Sequence, residues 1–212
     1  MQPLAIDAAH LARRYGRRWA VADVSFQLAR GAVMMVAGRN GSGKTTLLRI
    51  LSTAIRPDIG RAAVLGHDLI RGREEIRRET ALLAHYSYLY ESLTSRQNLE
   101  IVGRFCGAAP AETTSALERV GLAERANDPV STFSAGMRKR LSFARVLLQK
   151  PVLAFLDEPF GQLDPQGFQL VEQVVAELKR GGATVVIATH QVDRVAGFAD
   201  VHLNLEQGRM IA

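Results

Sequence analysis

The stretch GRNGSGKTT, Gly38–Thr46, decides how this chain is read. It matches G-x-x-x-x-G-K-[ST] at every fixed position, the pattern of a loop whose backbone N–H groups close on phosphate oxygens. The context is right on both sides. Before it, AVMMVAG (32–38) is a short apolar run that reads as a buried strand. After it, KTTLLRILSTAI (44–55) reads as a helix, whose positive N-terminal dipole would face the bound anion. Gly38, Gly41 and Gly43 let the backbone approach phosphate without side-chain clashes, and Arg39, Asn40, Ser42 and Thr46 complete the loop. Lys44 is placed to reach the β- and γ-phosphates, and Thr45 to offer a hydroxyl to Mg²⁺.

Working outward, VSFQL (24–28) alternates like a half-buried strand. RPDIG (56–60) is a turn, and RAAVLG (61–66) a strand. From 85 to 150 the pattern becomes helical and more polar. Apolar strands return at PVLAFL (151–156) and ATVVIAT (183–189), and the tail VHLNLEQGRMIA reads as two short strands around Gln207 and Gly208. The pattern is an α/β core with a helical insertion, without repeats or linkers.

The chain has 212 residues, 47% hydrophobic and 23% charged, the composition of a folded domain with one sizeable core. No charge-free apolar run approaches the roughly 20 residues of a membrane span. The N-terminus lacks the apolar segment and cleavage site of a secretory signal. Cys106 is the single cysteine, so an internal disulfide is excluded and a reducing, cytosolic setting is expected. The net charge is +6, with arginines clustered at 13–18, 71–78 and 138–140. Such clusters read as solvated surface, or as attraction to anionic lipid or nucleic acid. Charge alone does not choose among these.

Two further stretches carry chemistry. In VLAFLDEP an apolar strand ends at Asp157, beside Glu158. The first carboxylate can hold Mg²⁺ through water, and the second can polarise an attacking water. The alternative is a strand followed by an acidic helix N-terminus. In TFSAGMRKRLSFARVLL (132–148), Ser134 and Gly136 precede a helix with Leu141, Ala144, Arg145 and Leu148 on one side. Ser134 reads as an N-cap, or as part of a second phosphate-binding terminus that faces a nucleotide on another subunit.

Together these residues resemble the ATP-binding subunits of ABC transporters, over nearly the whole chain and in the family's order. GRNGSGKTT is similar to the Walker A motif, FSAGM to the signature motif, LAFLDE to Walker B, and GQLD (161–164) to the D-loop, while His190 in ATHQ sits at the switch histidine. The resemblance implies an α/β fold: a P-loop ABC ATPase core with an antiparallel β subdomain and an inserted helical subdomain. It implies one domain over 1–212, with core 1–84 and 151–212 and helices over about 85–150. It implies ATP and Mg²⁺, the metal held by Thr45 and Asp157. Tyr15 would stack on adenine, with Trp19 as the rival aromatic. Glu158 would polarise water, and His190 would contact the γ-phosphate. Ser134 and Gly136 would complete a partner's nucleotide site, and Asp164 would couple the two. The implied assembly is a head-to-tail homodimer sandwiching two ATP molecules. It would dock on a separate integral membrane subunit at the cytoplasmic face of the membrane, with no direct nucleic acid partner.

Three departures bear on this. The signature has Ala135 and Met137 where the family has glycine and glutamine, and Ala135 is harmless if its φ is negative. His85 falls where the family's Q-loop glutamine binds Mg²⁺ and senses the membrane subunit, which adds it to the implied metal site; imidazole is a poor ligand for a hard cation, so His85 is expected to contact the metal's water or to coordinate nothing. AHYSYLYESLT, the short insertion and the compact C-terminus resemble the CcmA type, ATPases of haem handling in cytochrome c maturation. A generic drug, lipid or polymer exporter is the alternative. A soluble ABC ATPase on DNA or ribosomes is disfavoured by the lack of sustained heptads and of a second cassette. A P-loop kinase would need neither the signature motif nor the switch histidine.

Overall fold

The computed structural model describes residues 3–84 and 87–211. Two sheets share one body. In the first, β1 (Leu4–Tyr15) and β2 (Arg18–Ala29) form a long hairpin, joined by β4 (Ile59–Val64) and β5 (His67–Asp68) in the antiparallel order β2-β1-β4-β5. The second comprises β3 (Val33–Ala37), β6 (Thr80–Leu83), β7 (Leu153–Asp157), β8 (Thr184–Thr189), β9 (Val201–Glu206) and β10 (Arg209–Ile211). Its order is β10-β9-β3-β8-β7-β6, parallel from β9 to β6 with β10 antiparallel at the edge.

Every residue of β3, β7 and β8 is buried. That is why these segments are unbroken apolar runs rather than alternating ones: a parallel sheet is covered on both faces. Alternate residues of β3 serve opposite sides. Met34 and Val36 join α1 (Lys44–Leu51) and the antiparallel sheet in one core. Val33, Met35 and Ala37 join a second core, built with α3 (Ser95–Cys106), α4 (Pro110–Arg119), α5 (Ala135–Gln149) and α6 (Pro165–Arg180). The helical stretch between β6 and β7 is therefore welded to the sheet by a continuous apolar cluster. A Thr94–Gln97 capping box starts α3, and Ser134 caps α5.

Several expectations shift. The helix after the phosphate loop ends at Leu51, short of Ile55, because Thr53 turns left-handed at φ 61°. Its carbonyl is captured by Arg73 and Arg77, both from α2 (Arg73–Glu79). Arginines that read as solvated surface thus hold a turn. Arg13 likewise pairs with Asp58 at 2.7 Å. The strand expected from Arg61 begins at Ile59. The two tail strands form around the Gln207–Gly208 turn. His85 and Tyr86 lie outside the described residues.

Candidate functional site

The cavity of about 650 Å³ beside the phosphate loop gathers residues from β1, α1, α5 and the segments just after β7 and β8: Tyr15, Lys44, Thr45, Lys139, Glu158 and His190 line it. The loop leaves β3 and enters α1, and two of its glycines are required by contact. A Cβ on Gly43, at φ 109°, would lie 2.1 Å from the Ala20 carbonyl oxygen; one on Gly38 would lie 2.3 Å from that of Leu205. No side chain caps α1, so its first N–H groups remain directed to the loop.

Asn40, Gly41, Gly43 and Thr46 also line this cavity, while Gly38, Arg39 and Ser42 face the adjoining depressions. Lys44 is 5% exposed, and its Nζ donates to the Gly38 carbonyl at 2.7 Å and that of Arg39 at 3.2 Å. Glu158 Oε1 stands 3.4 Å from the same ammonium. The Thr45 hydroxyl donates to Asp157 Oδ1 at 3.0 Å, bringing two hard oxygen donors together at the end of β7.

Glu158 sits just past β7 with φ 45°, a left-handed backbone that non-glycine residues rarely adopt. Its N–H donates to the Ala188 carbonyl at 2.8 Å, and its Oε2 contacts His190 Nδ1 at 2.9 Å. Outliers of this kind concentrate at working sites, where surrounding structure over-determines them.

Tyr15 ends β1 half-exposed, with the Arg13 guanidinium 5.3 Å from its ring. Trp19 faces a separate depression beside Arg209. Ser134, Gly136 and Asp164 do not line the cavity. Ser134 accepts the Met137 N–H as a cap; Asp164 caps α6 through the Gly167 N–H and meets Arg140 at 3.6 Å. Ala135 is helical with negative φ, so the signature's extra Cβ is unstrained there.

Sequence reading missed Lys139, hidden inside the RKR run. It is 6% exposed, on α5, and its Nζ donates to the Glu158 carbonyl at 2.9 Å. Burial pushes this ammonium down to about 8, against the pull of Asp157 and Glu158. Arg18 and Gln162 were also missed at the cavity wall.

The ABC transporter family profile matches residues 21–161. The daunorubicin resistance ATP-binding protein DrrA3 of Streptomyces coeruleorubidus is 41% identical, over 99% of this chain and 67% of its own. The linearmycin resistance ATP-binding protein LnrL of Bacillus subtilis is 31% identical, over 98% of this chain and 68% of its own. This chain thus spans about two thirds of such relatives. Among solved structures, a dimeric ATP-binding cassette in a post-hydrolysis state with ADP and Pi superposes with TM-score 0.89 at 22% identity, over 98% of this chain and 97% of that one, a likeness of fold.

Proposed function

Because this chain belongs to the ABC transporter family as an ATP-binding subunit, we propose that it drives a separate membrane subunit in exporting drug-like small molecules. The chain is an ABC ATPase of P-loop fold. The observation that carries the reading is the meeting of Lys44, Glu158 and His190 in one cavity at the phosphate loop. Lys44 and the α1 N-terminus bind the β- and γ-phosphates, Tyr15 stacks on the base, Glu158 polarises water, and His190 steadies the terminal phosphate. The Thr45 hydroxyl and Asp157 carboxylate suit Mg²⁺, which would neutralise phosphate charge there.

The expectation of haem export gives way here. The relatives above are named for daunorubicin and linearmycin resistance, and these names favour the exporter alternative. The haem reading leaned on the His85 segment, whose key residue lies outside the described residues.

Ser134 and Gly136, away from this chain's own cavity, are proposed to close the nucleotide site of a second copy in a head-to-tail dimer, with Asp164 at the junction. Among the described residues no helix is long and apolar enough to cross a membrane. The transport path is proposed to lie in a partner, as the family of ATP-binding subunits implies, met at the cytoplasmic face of the membrane. Tyr88 and Tyr90, 65% and 58% exposed, are the contact surface proposed for it.

The test is to co-express the chain with the membrane protein that co-purifies with it, in a drug-sensitive host, and to measure daunorubicin efflux. ATP-dependent efflux that Lys44→Ala abolishes is the expected result. Equal drug accumulation with the wild-type pair and with the Lys44→Ala pair would overturn the export reading.

A further inference from the structure

We propose that Lys139 is a positioning residue for Glu158: its ammonium grips the backbone at the end of β7 and holds the water-polarising carboxylate in place. This rests on the reading of Glu158 given above. Lys139 Nζ donates to the Glu158 carbonyl at 2.9 Å and lies 3.4 Å from the Asp157 carbonyl. The same Glu158 carbonyl accepts the Gly161 N–H at 3.1 Å, and the Glu158 N–H is held by Ala188. The residue is thus pinned from three sides in a left-handed conformation it would otherwise leave.

A lysine is a demanding choice for such a contact. Burying an ammonium among apolar side chains is unfavourable unless acceptors and opposite charge compensate. Here the acceptors are the two carbonyls, and the compensating charge comes from Asp157 and Glu158 themselves.

The grip has a mechanical consequence. Lys139 rides on α5, the helix capped by Ser134, inside the helical insertion. A displacement of that helix pulls directly on the Glu158 peptide. The insertion is thereby linked to the hydrolytic carboxylate through one side chain. Movement of α5 under the membrane partner then alters the rate of hydrolysis rather than the affinity for ATP.

The rival roles separate in kinetics. In the purified chain, Lys139→Met is expected to lower kcat for ATP at least tenfold, leaving ATP and ADP affinity within twofold. Lys139→Arg, which keeps charge and donors, should recover most of the turnover. In a Glu158→Gln background, adding Lys139→Met should lower the residual rate no further. Parallel loss of ATP and ADP affinity with kcat would make Lys139 a nucleotide contact and overturn the proposal. So would wild-type turnover per folded molecule in Lys139→Met, with or without a lower Tm. Normal Lys139→Met turnover beside an inactive Glu158→Gln enzyme sinks this inference alone; an active Glu158→Gln enzyme sinks the reading beneath it.

Discussion

Lys44 Nζ and Glu158 Oε1 stand 3.4 Å apart, and the same ammonium donates to two carbonyls of its own loop. The loop's cation therefore has anionic and neutral partners already, and an incoming phosphate must compete with them. Both groups are largely buried, so their attraction is little screened by salt.

Removing the Glu158 charge should therefore separate binding from turnover. Glu158→Gln keeps the shape of the site, frees Lys44 of a competitor, and takes away the base. ATP affinity should hold or tighten, while kcat falls on the order of 10²–10⁴-fold, the usual reach of a general base. Equilibrium binding with a fluorescent ATP analogue and phosphate release measure the two. Weaker ATP binding in this variant would contradict the competition between carboxylate and phosphate.

Tyr15 and Trp19 divide differently. Tyr15 lines the cavity that contains Lys44; Trp19 lies 5.8 Å from Arg14 at another depression. Tyr15→Ala should weaken ATP and ADP alike by about 1–3 kcal/mol, as expected for a lost base–aromatic stack. Tyr15→Trp should preserve affinity, and Trp19→Ala should scarcely change it. A larger loss in Trp19→Ala than in Tyr15→Ala would reassign the stacking residue.

His190 touches the same carboxylate from the other side, Nδ1 to Glu158 Oε2 at 2.9 Å. Its removal should slow hydrolysis more than it weakens binding. His190→Ala is expected to lower kcat at least tenfold with ATP affinity within about threefold, an electrostatic loss at the terminal phosphate of the kind seen when one stabilising donor is removed. Single-turnover assays at saturating ATP read this directly. A rate within twofold of wild type would leave His190 as an orienting partner of Glu158 and no more.

The phosphate loop, β7 and β8 were legible because each depends on local pattern: glycines at fixed spacing, and unbroken apolar runs for strands covered on both faces. β1 was not, because register shifts at Leu4/Ile6, Ala8/Leu11 and Leu11/Arg13 break the alternation that marks a strand. β6, only four residues long, borders the charged helix α2 and offers too short a run to stand out. Lys139 was invisible for a different reason. Between Arg138 and Arg140 it looks like surface charge, and only the docking of α5 on β7 buries it. Positions set by tertiary packing leave no local trace.

The anchor of the phosphate strand gives a pH-dependent test remote from the chemistry. Asp200 Oδ2 accepts the Val33 N–H at 2.8 Å, where β3 begins, and both its oxygens meet Lys179 Nζ at 2.9–3.0 Å. The Val33 N–H, then Lys179, hold this carboxyl below its ordinary value of 3.8. A carboxylate with a lowered folded value binds fewer protons folded than unfolded in that window, so its stabilisation is complete above about pH 4–5 and is lost as pH falls through the folded value. Asp200→Ala should cost about 1 kcal/mol at pH 7, the worth of a hydrogen bond to a buried N–H, or roughly 2–4 °C in Tm for a chain of this size. The gap between wild type and variant should narrow steadily below pH 4. Thermal melts across pH 3–7 measure it, with ATP affinity at pH 7 unchanged because Asp200 lies outside the nucleotide cavity. A gap that stays constant down to pH 3 would show that the carboxylate's charge plays no part in holding β3.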